Sequence, residues 1–248
     1  MNSRLRSTAD AVDGATVLTV EGTLDSISYG KLRDSIVKAA LDEPRAVIVD
    51  ITNLAVPAES AVAVFTSARW HIARWPDVPL LLVCGTESSR DMLYRNGITR
   101  YVPVYAGVRQ AVDIAAQQPV PGRRRIRAEL IPDASSVAMA RRLVAEWLHA
   151  WSRAELTPVA KIIVTSLVEN AVRHAGGATA LRLESKGDEV TVAVEDASGV
   201  PASFKEKALG NDELSSLKIV DAVCRTWGCS PTPSGKVVWC VVGPENRL

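Results

Sequence analysis

A stretch of eleven residues, QQPVPGRRRIR from 117 to 127, decides how this chain can fold. Its two prolines and one glycine interrupt helix and strand alike, and four arginines crowd its second half, a composition that suits an interdomain connector. Two domains are expected on either side, residues 1–117 and 129–248, with a linker over 118–128. A length of 248 residues fits that count, and 47% hydrophobic residues supply enough apolar surface for two cores.

Arg123, Arg124, Arg125 and Arg127 raise the question of nucleic acid, but no aromatic residues interleave them. Across the chain 29 basic and 28 acidic residues nearly cancel, for a formal net charge of +1. Neither nucleic acid nor an anionic membrane surface is therefore expected as the main partner. The N-terminus MNSRLRSTADAVDG has no apolar core of signal-peptide length and no later apolar run reaches membrane-spanning length, so a soluble, cytoplasmic protein is expected. Cys84, Cys224, Cys229 and Cys240 form no CxxC pair and read as small core residues, not as disulfides or a metal centre.

Before the connector, strand-like runs alternate with helical periodicity. ATVLTVEGTL, AVIVD and PLLLVCG predict strands, and ISYGKLRDSIVKAAL, SAVAVFTSARWHIARW, SSRDMLYRNG and GVRQAVDIAAQ predict helices. That alternation argues for an α/β layer structure. The strings Val20-Glu21-Gly22-Thr23-Leu24-Asp25, Val47-Ile48-Val49-Asp50, and Gly97-Ile98-Thr99-Arg100 followed by Val102-Pro103-Val104-Tyr105 occur in an order that resembles a STAS domain, the fold of anti-sigma-factor antagonists. The likeness covers about residues 12 to 117.

After the connector the order changes. Asp133 or Ser135 is placed to cap a helix carrying Val137, Ala140, Leu143, Val144 and Trp147 on one side, and Thr157-Pro158 opens a second. ALRLES and EVTVAVED flank a Lys186-Gly187-Asp188 turn as a hairpin, LSSLKIVDAVCRTWG predicts a helix stopped by Gly228, and GKVVWCVVG predicts a last strand. In the second helix, Ser166-Leu167-Val168-Glu169-Asn170-Ala171-Val172-Arg173-His174 resembles the nucleotide-binding helix of GHKL ATPases, most closely the anti-sigma-factor serine-kinase branch, where it reads Glu-Leu-Val-Thr-Asn-Ala-Val-x-His. The expected fold class is thus α/β, a STAS-like domain followed by a GHKL (Bergerat-type) α/β sandwich.

The second resemblance implies a nucleotide site, ATP or ADP with Mg²⁺, built from Asn170 as metal ligand, Asp196 as acceptor for the adenine amino group, and Arg173 and His174 within reach of phosphate. Two departures weaken it. Ser166 stands where the family has its general base, and a hydroxyl cannot take that role near neutral pH; Glu169, about 60° around the helix, is the one substitute. Where the kinases carry Gly-x-Gly-Leu to wrap phosphate, this chain has Leu214-Ser215-Ser216-Leu217. The first resemblance implies a phosphoacceptor at the helix start after the AVIVD strand, and there Glu59 takes the serine's place, with Ser60 beside it as an acceptor or a helix cap.

Together the resemblances imply a non-catalytic or weakly active partner-switching regulator of sigma-factor signalling, whose partners are a sigma factor, anti-sigma kinases, STAS antagonists, its own other half or a second copy. Two alternatives stay open, an active ATP-dependent serine kinase and a nucleotide-sensing switch between the two halves.

Overall fold

Continuously apolar strands are strands buried on both faces, and the first half of the chain places such runs, Val47–Val49 and Leu80–Val83, inside its sheet. The computed structural model describes residues 4–117, 122–131, 133, 135–200, 216–232 and 234–248 and divides into two units, Met1–Val120 and Pro121–Leu248. Leu214 and Ser215 lie outside the described residues, as does the side chain of Ser216.

The first unit contains strands β1 (Arg6–Val12), β2 (Ala15–Thr23), β3 (Val47–Ala55), β4 (Leu80–Val83) and β5 (Val104–Tyr105), side by side in that order. β1 is antiparallel to β2 and every other neighbouring pair is parallel. The helices are α1 (Ser26–Leu41), α2 (Ala63–Arg74), α3 (Glu87–Arg95) and α4 (Val108–Gln117). Side chains alternate across a strand, so β2, β3 and β4 each feed two cores. Leu18, Val20, Val49, Leu80 and Leu82 pack with Leu32, Ile36, Phe65, Ile72 and Leu93 from α1, α2 and α3. Val17, Ile48, Leu81 and Val83 pack with Ala111, Val112 and Ala115 from α4.

α1 begins at a reciprocal cap. Asp25 Oδ1 accepts hydrogen bonds from the amides of Ile27 (3.0 Å) and Ser28 (2.8 Å), and Ser28 Oγ accepts one from the Asp25 amide at 2.8 Å. The bond from the Ser28 amide, then that from its hydroxyl, holds the Asp25 carboxyl below its ordinary value of 3.8. A folded-state pKa below the unfolded one stabilises above the unfolded value and loses that stability as pH falls through the folded one. Asp25→Ala should accordingly lower stability at neutral pH and flatten the loss below pH 3.8, measured as urea midpoints between about pH 5 and about pH 2.

The second unit contains β6 (Arg123–Glu129), α5 (Ser136–Ala150), α6 (Thr157–Ala175), β7 (Ala178–Lys186), β8 (Glu189–Asp196), α7 (Ser216–Val223), β9 (Thr226–Pro231) and β10 (Lys236–Val242). Its sheet is antiparallel, in the order β6-β7-β8-β10-β9. One face carries Leu181, Leu183, Val190, Val192, Val194, Val238, Cys240 and Val242, and packs on Ala140, Val144 and Leu148 of α5, Ile163 and Leu167 of α6, and Leu217 and Val220 of α7. The β7–β8 hairpin turns at Gly187-Asp188.

Three segments differ from the expectation. RSTADAV, with no apolar alternation, forms β1 because Asp13 and Gly14 both adopt positive φ (48° and 81°), the geometry that folds a strand back on its neighbour. The arginine run expected in the linker forms β6: Glu184 binds Arg123 and, at 3.0 Å, Arg125, while Glu195 binds Arg182 and, at 3.3 Å, Arg127. Carboxylates from β7 and β8 thus offset part of a run of charge that reads as solvated when taken alone. Finally, α7 stops at Val223, five residues before Gly228, because the Arg225 amide already bonds Val241 O at 2.9 Å and starts the β9–β10 ladder. Gly228 lies inside β9, where a Cβ would collide with the Trp239 ring.

No described helix is long and apolar enough to cross a membrane. The four cysteines are free thiols; burial pushes the Cys240 thiol up, whereas a hydrogen bond with Cys240 draws Cys224 below its ordinary value.

Candidate functional site

The loop leaving β3 ends at Ala58, and Glu59 opens a 3₁₀ turn, Glu59–Val62, that runs directly into α2. Val62 is buried and anchors the turn to the core, while Glu59 and Ser60 stay exposed. At the opening of a helical segment a carboxylate meets the positive end of the backbone dipole. Two side chains from the end of α3 also hold it: Arg95 donates to Oε1 at 3.3 Å and Asn96 Nδ2 to Oε2 at 2.9 Å. Asn96 is itself fixed, because the same amide nitrogen donates to Met92 O at 2.9 Å. With the Arg95 and Glu59 side chains 66% and 52% exposed, the pair adds little to stability. Its effect is to orient an accessible anion. Arg95 and Asn96 do not stand out in the sequence, since their relation to Glu59 depends on α3 ending beside the α2 turn.

In the second unit the candidate residues are spread along α6. Ser166 is 4% exposed, within the packed face of the helix, whereas Asn170 is half-buried and Glu169, Arg173 and His174 are exposed. Among the described residues no group of three or more His, Cys, Asp and Glu side chains is arranged to hold a metal ion.

Asp196 ends β8 and is 3% exposed. Directly opposite in the ladder stands Lys236, first residue of β10, and its Nζ lies 2.9 Å from Asp196 Oδ1. The Ser198 amide donates to the same oxygen at 2.8 Å. Both side chains are nearly fully buried, at 5% and 2% exposed. At Gly235 a Cβ would overlap Asp196 O, so glycine is what lets the two strands close over this end of the sheet. The acid expected to read adenine thus shares its Oδ1 with an ammonium and an amide, and the bond to the ammonium is charge-assisted, roughly twice as strong as one from a neutral amino group. Lys236 escapes sequence reasoning because a single lysine before VVWCVV reads as a strand-end charge, and only the β8–β10 register sets it against Asp196.

Solved structures with a similar chain trace include an anti-sigma factor antagonist from Mycobacterium paratuberculosis (16% identity over 46% of this chain and 96% of that chain, TM-score 0.41). Others are the anti-sigma factor antagonist SpoIIAA in its unphosphorylated form (14%, 46% and 99%, TM-score 0.37) and a Moorella thermoacetica RsbS variant (19%, 45% and 95%, TM-score 0.38). No curated protein matches the chain significantly. The family model for the STAS domain matches residues 6–111, a span that takes in β1 through the start of α4, and the N-terminal unit therefore carries a STAS domain.

Proposed function

We propose that this chain is a partner-switching regulator of sigma-factor signalling that acts by docking, with Glu59 supplying a permanent anion at the place where related antagonists carry a phosphorylatable serine. The observation that supports this reading is the fixed carboxylate of Glu59, oriented by Arg95 and Asn96 at the entrance to α2. One carboxylate has less charge than a phosphate, about −1 against roughly −1.5 to −2, so the site is a partial and irreversible copy of a modified state. Its partners are proteins of the sigma-factor pathway, foremost a separate anti-sigma serine kinase.

The C-terminal unit is, on this proposal, a GHKL-like sandwich retained for binding. Support comes from its antiparallel sheet with three helices on one face and from the motif on α6 that ends in Asn170-Ala171-Val172-Arg173-His174. The pairing of Asp196 with Lys236 speaks for protein docking over nucleotide sensing.

Binding of a separate anti-sigma serine kinase by wild type, Glu59→Ser and Glu59→Ala, followed by calorimetry, tests the proposal. Loss of a charge-assisted contact is worth about 1.5–3 kcal/mol, so both variants should bind about ten- to a hundredfold more weakly. Equal affinities for all three would remove Glu59 from any switching role.

A further inference from the structure

β1 closes one end of the first sheet, and six of its seven residues are exposed. Its outer edge thus presents a row of backbone groups to a pairing strand, and natural edges of this kind are normally blunted by lysine, proline or a bulge. Arg6–Val12 contains neither lysine nor proline, and its ladder with β2 runs without a register shift. Two charges on the strand are unused: among the described residues neither Arg6 nor Asp10 takes part in an ion pair. Across their own sheet they stand opposite Glu21 and Val17.

We propose that this edge binds a second copy of the same chain, β1 against β1, antiparallel and centred on Thr8. The occupant follows from the charge order. In a two-fold contact residue i meets j and j meets i, so centring on Thr8 sets Arg6 of each copy opposite Asp10 of the other, with Ser7 opposite Ala9. Both charge pairs form on one face, since alternate residues of a strand share a side. Centring one residue later, on Ala9, sets Arg6 against Val12 and Asp10 against Thr8 and leaves all four charges unmatched. The self-complementary spacing picks out one register and one partner, and the contact joins the two five-stranded sheets through their β1 edges.

Sedimentation equilibrium of the full chain tests this over a range of protein concentrations. Wild type should pass from monomer to dimer as concentration rises. Arg6→Glu sets two carboxylates against each other at both crossings, and Asp10→Lys sets two cations there, so each variant alone should dimerise about tenfold more weakly or worse. In an equimolar mixture the two variants meet with a carboxylate opposite a cation at both crossings if the contact is as described, so the mixture should dimerise near wild-type affinity. The double variant Arg6→Glu/Asp10→Lys restores opposite charges at both crossings in the reverse sense and should recover dimerisation near wild-type affinity. Because both side chains are exposed, the substitutions leave the cores untouched. The proposal is overturned if wild type stays monomeric throughout, if either single variant dimerises like wild type, or if the equimolar mixture or the double variant fails to pair.

Discussion

Lys236→Met should destabilise the C-terminal unit by about 3–5 kcal/mol, the usual effect of removing one member of a buried ion pair and stranding the other charge. Asp196 is 3% exposed and lies in the ladder between β8 and β10, so without the ammonium its carboxylate keeps only the Ser198 amide among the bonds described. The double variant Asp196→Leu/Lys236→Met should return to within about 1 kcal/mol of wild type, because apolar residues of similar volume replace buried pairs at little net cost. Urea unfolding and hydrogen exchange at the β8 and β10 amides would measure both. A single variant as stable as wild type would mean that the pair is not buried in solution, and Asp196 would again be open to an adenine ring.

Labelled ATP should yield no more than trace phosphoserine, either on Ser60 of this chain or on a separate STAS protein. On the proposal that the C-terminal unit is a GHKL-like sandwich, Ser166, 4% exposed, takes the place of that fold's general base, and losing general-base catalysis removes a factor of about 10² to 10⁴. Glu169 lies on the exposed side of α6, and its substitution by glutamine should change nothing. Robust phosphoserine formation that Glu169→Gln abolishes would instead establish a working kinase with a displaced base. The same samples titrated with ATP and ADP in the presence of Mg²⁺ should show weak heats that hardly distinguish the two nucleotides. Tight ATP binding with a strong preference over ADP would reverse the reading of the Leu214-Ser215-Ser216 segment.

Where local pattern and tertiary structure agree, the sequence is a good guide. β4 and the first half of β3 announce themselves as apolar runs because they are covered on both faces, β2 by its β-branched residues, and Lys186-Gly187-Asp188 marks the β7–β8 hairpin by turn chemistry alone. Agreement ends where a partner strand decides the outcome. β6 looks like a solvated arginine tract until Glu184 and Glu195 are brought beside it from β7 and β8. CRTWG continues a helical pattern until β10 captures the Arg225 amide. At the candidate sites the same limit applies: Glu59 is found by counting from β3, but Arg95, Asn96 and Lys236 are brought in by register and helix ends, which no local spacing encodes.

The carboxylate of Glu59 touches neither core, and its neighbours Arg95 and Asn96 are donors that would serve a phosphate as readily as an acid. Exchange between glutamate and serine at this one place therefore leaves folding almost unaffected while, under the proposed function, deciding whether the chain obeys an upstream modifying enzyme or ignores it. On that proposal a lineage carrying this scaffold can drift between a hard-wired and a commanded regulator at a single codon, with no unstable intermediate to cross.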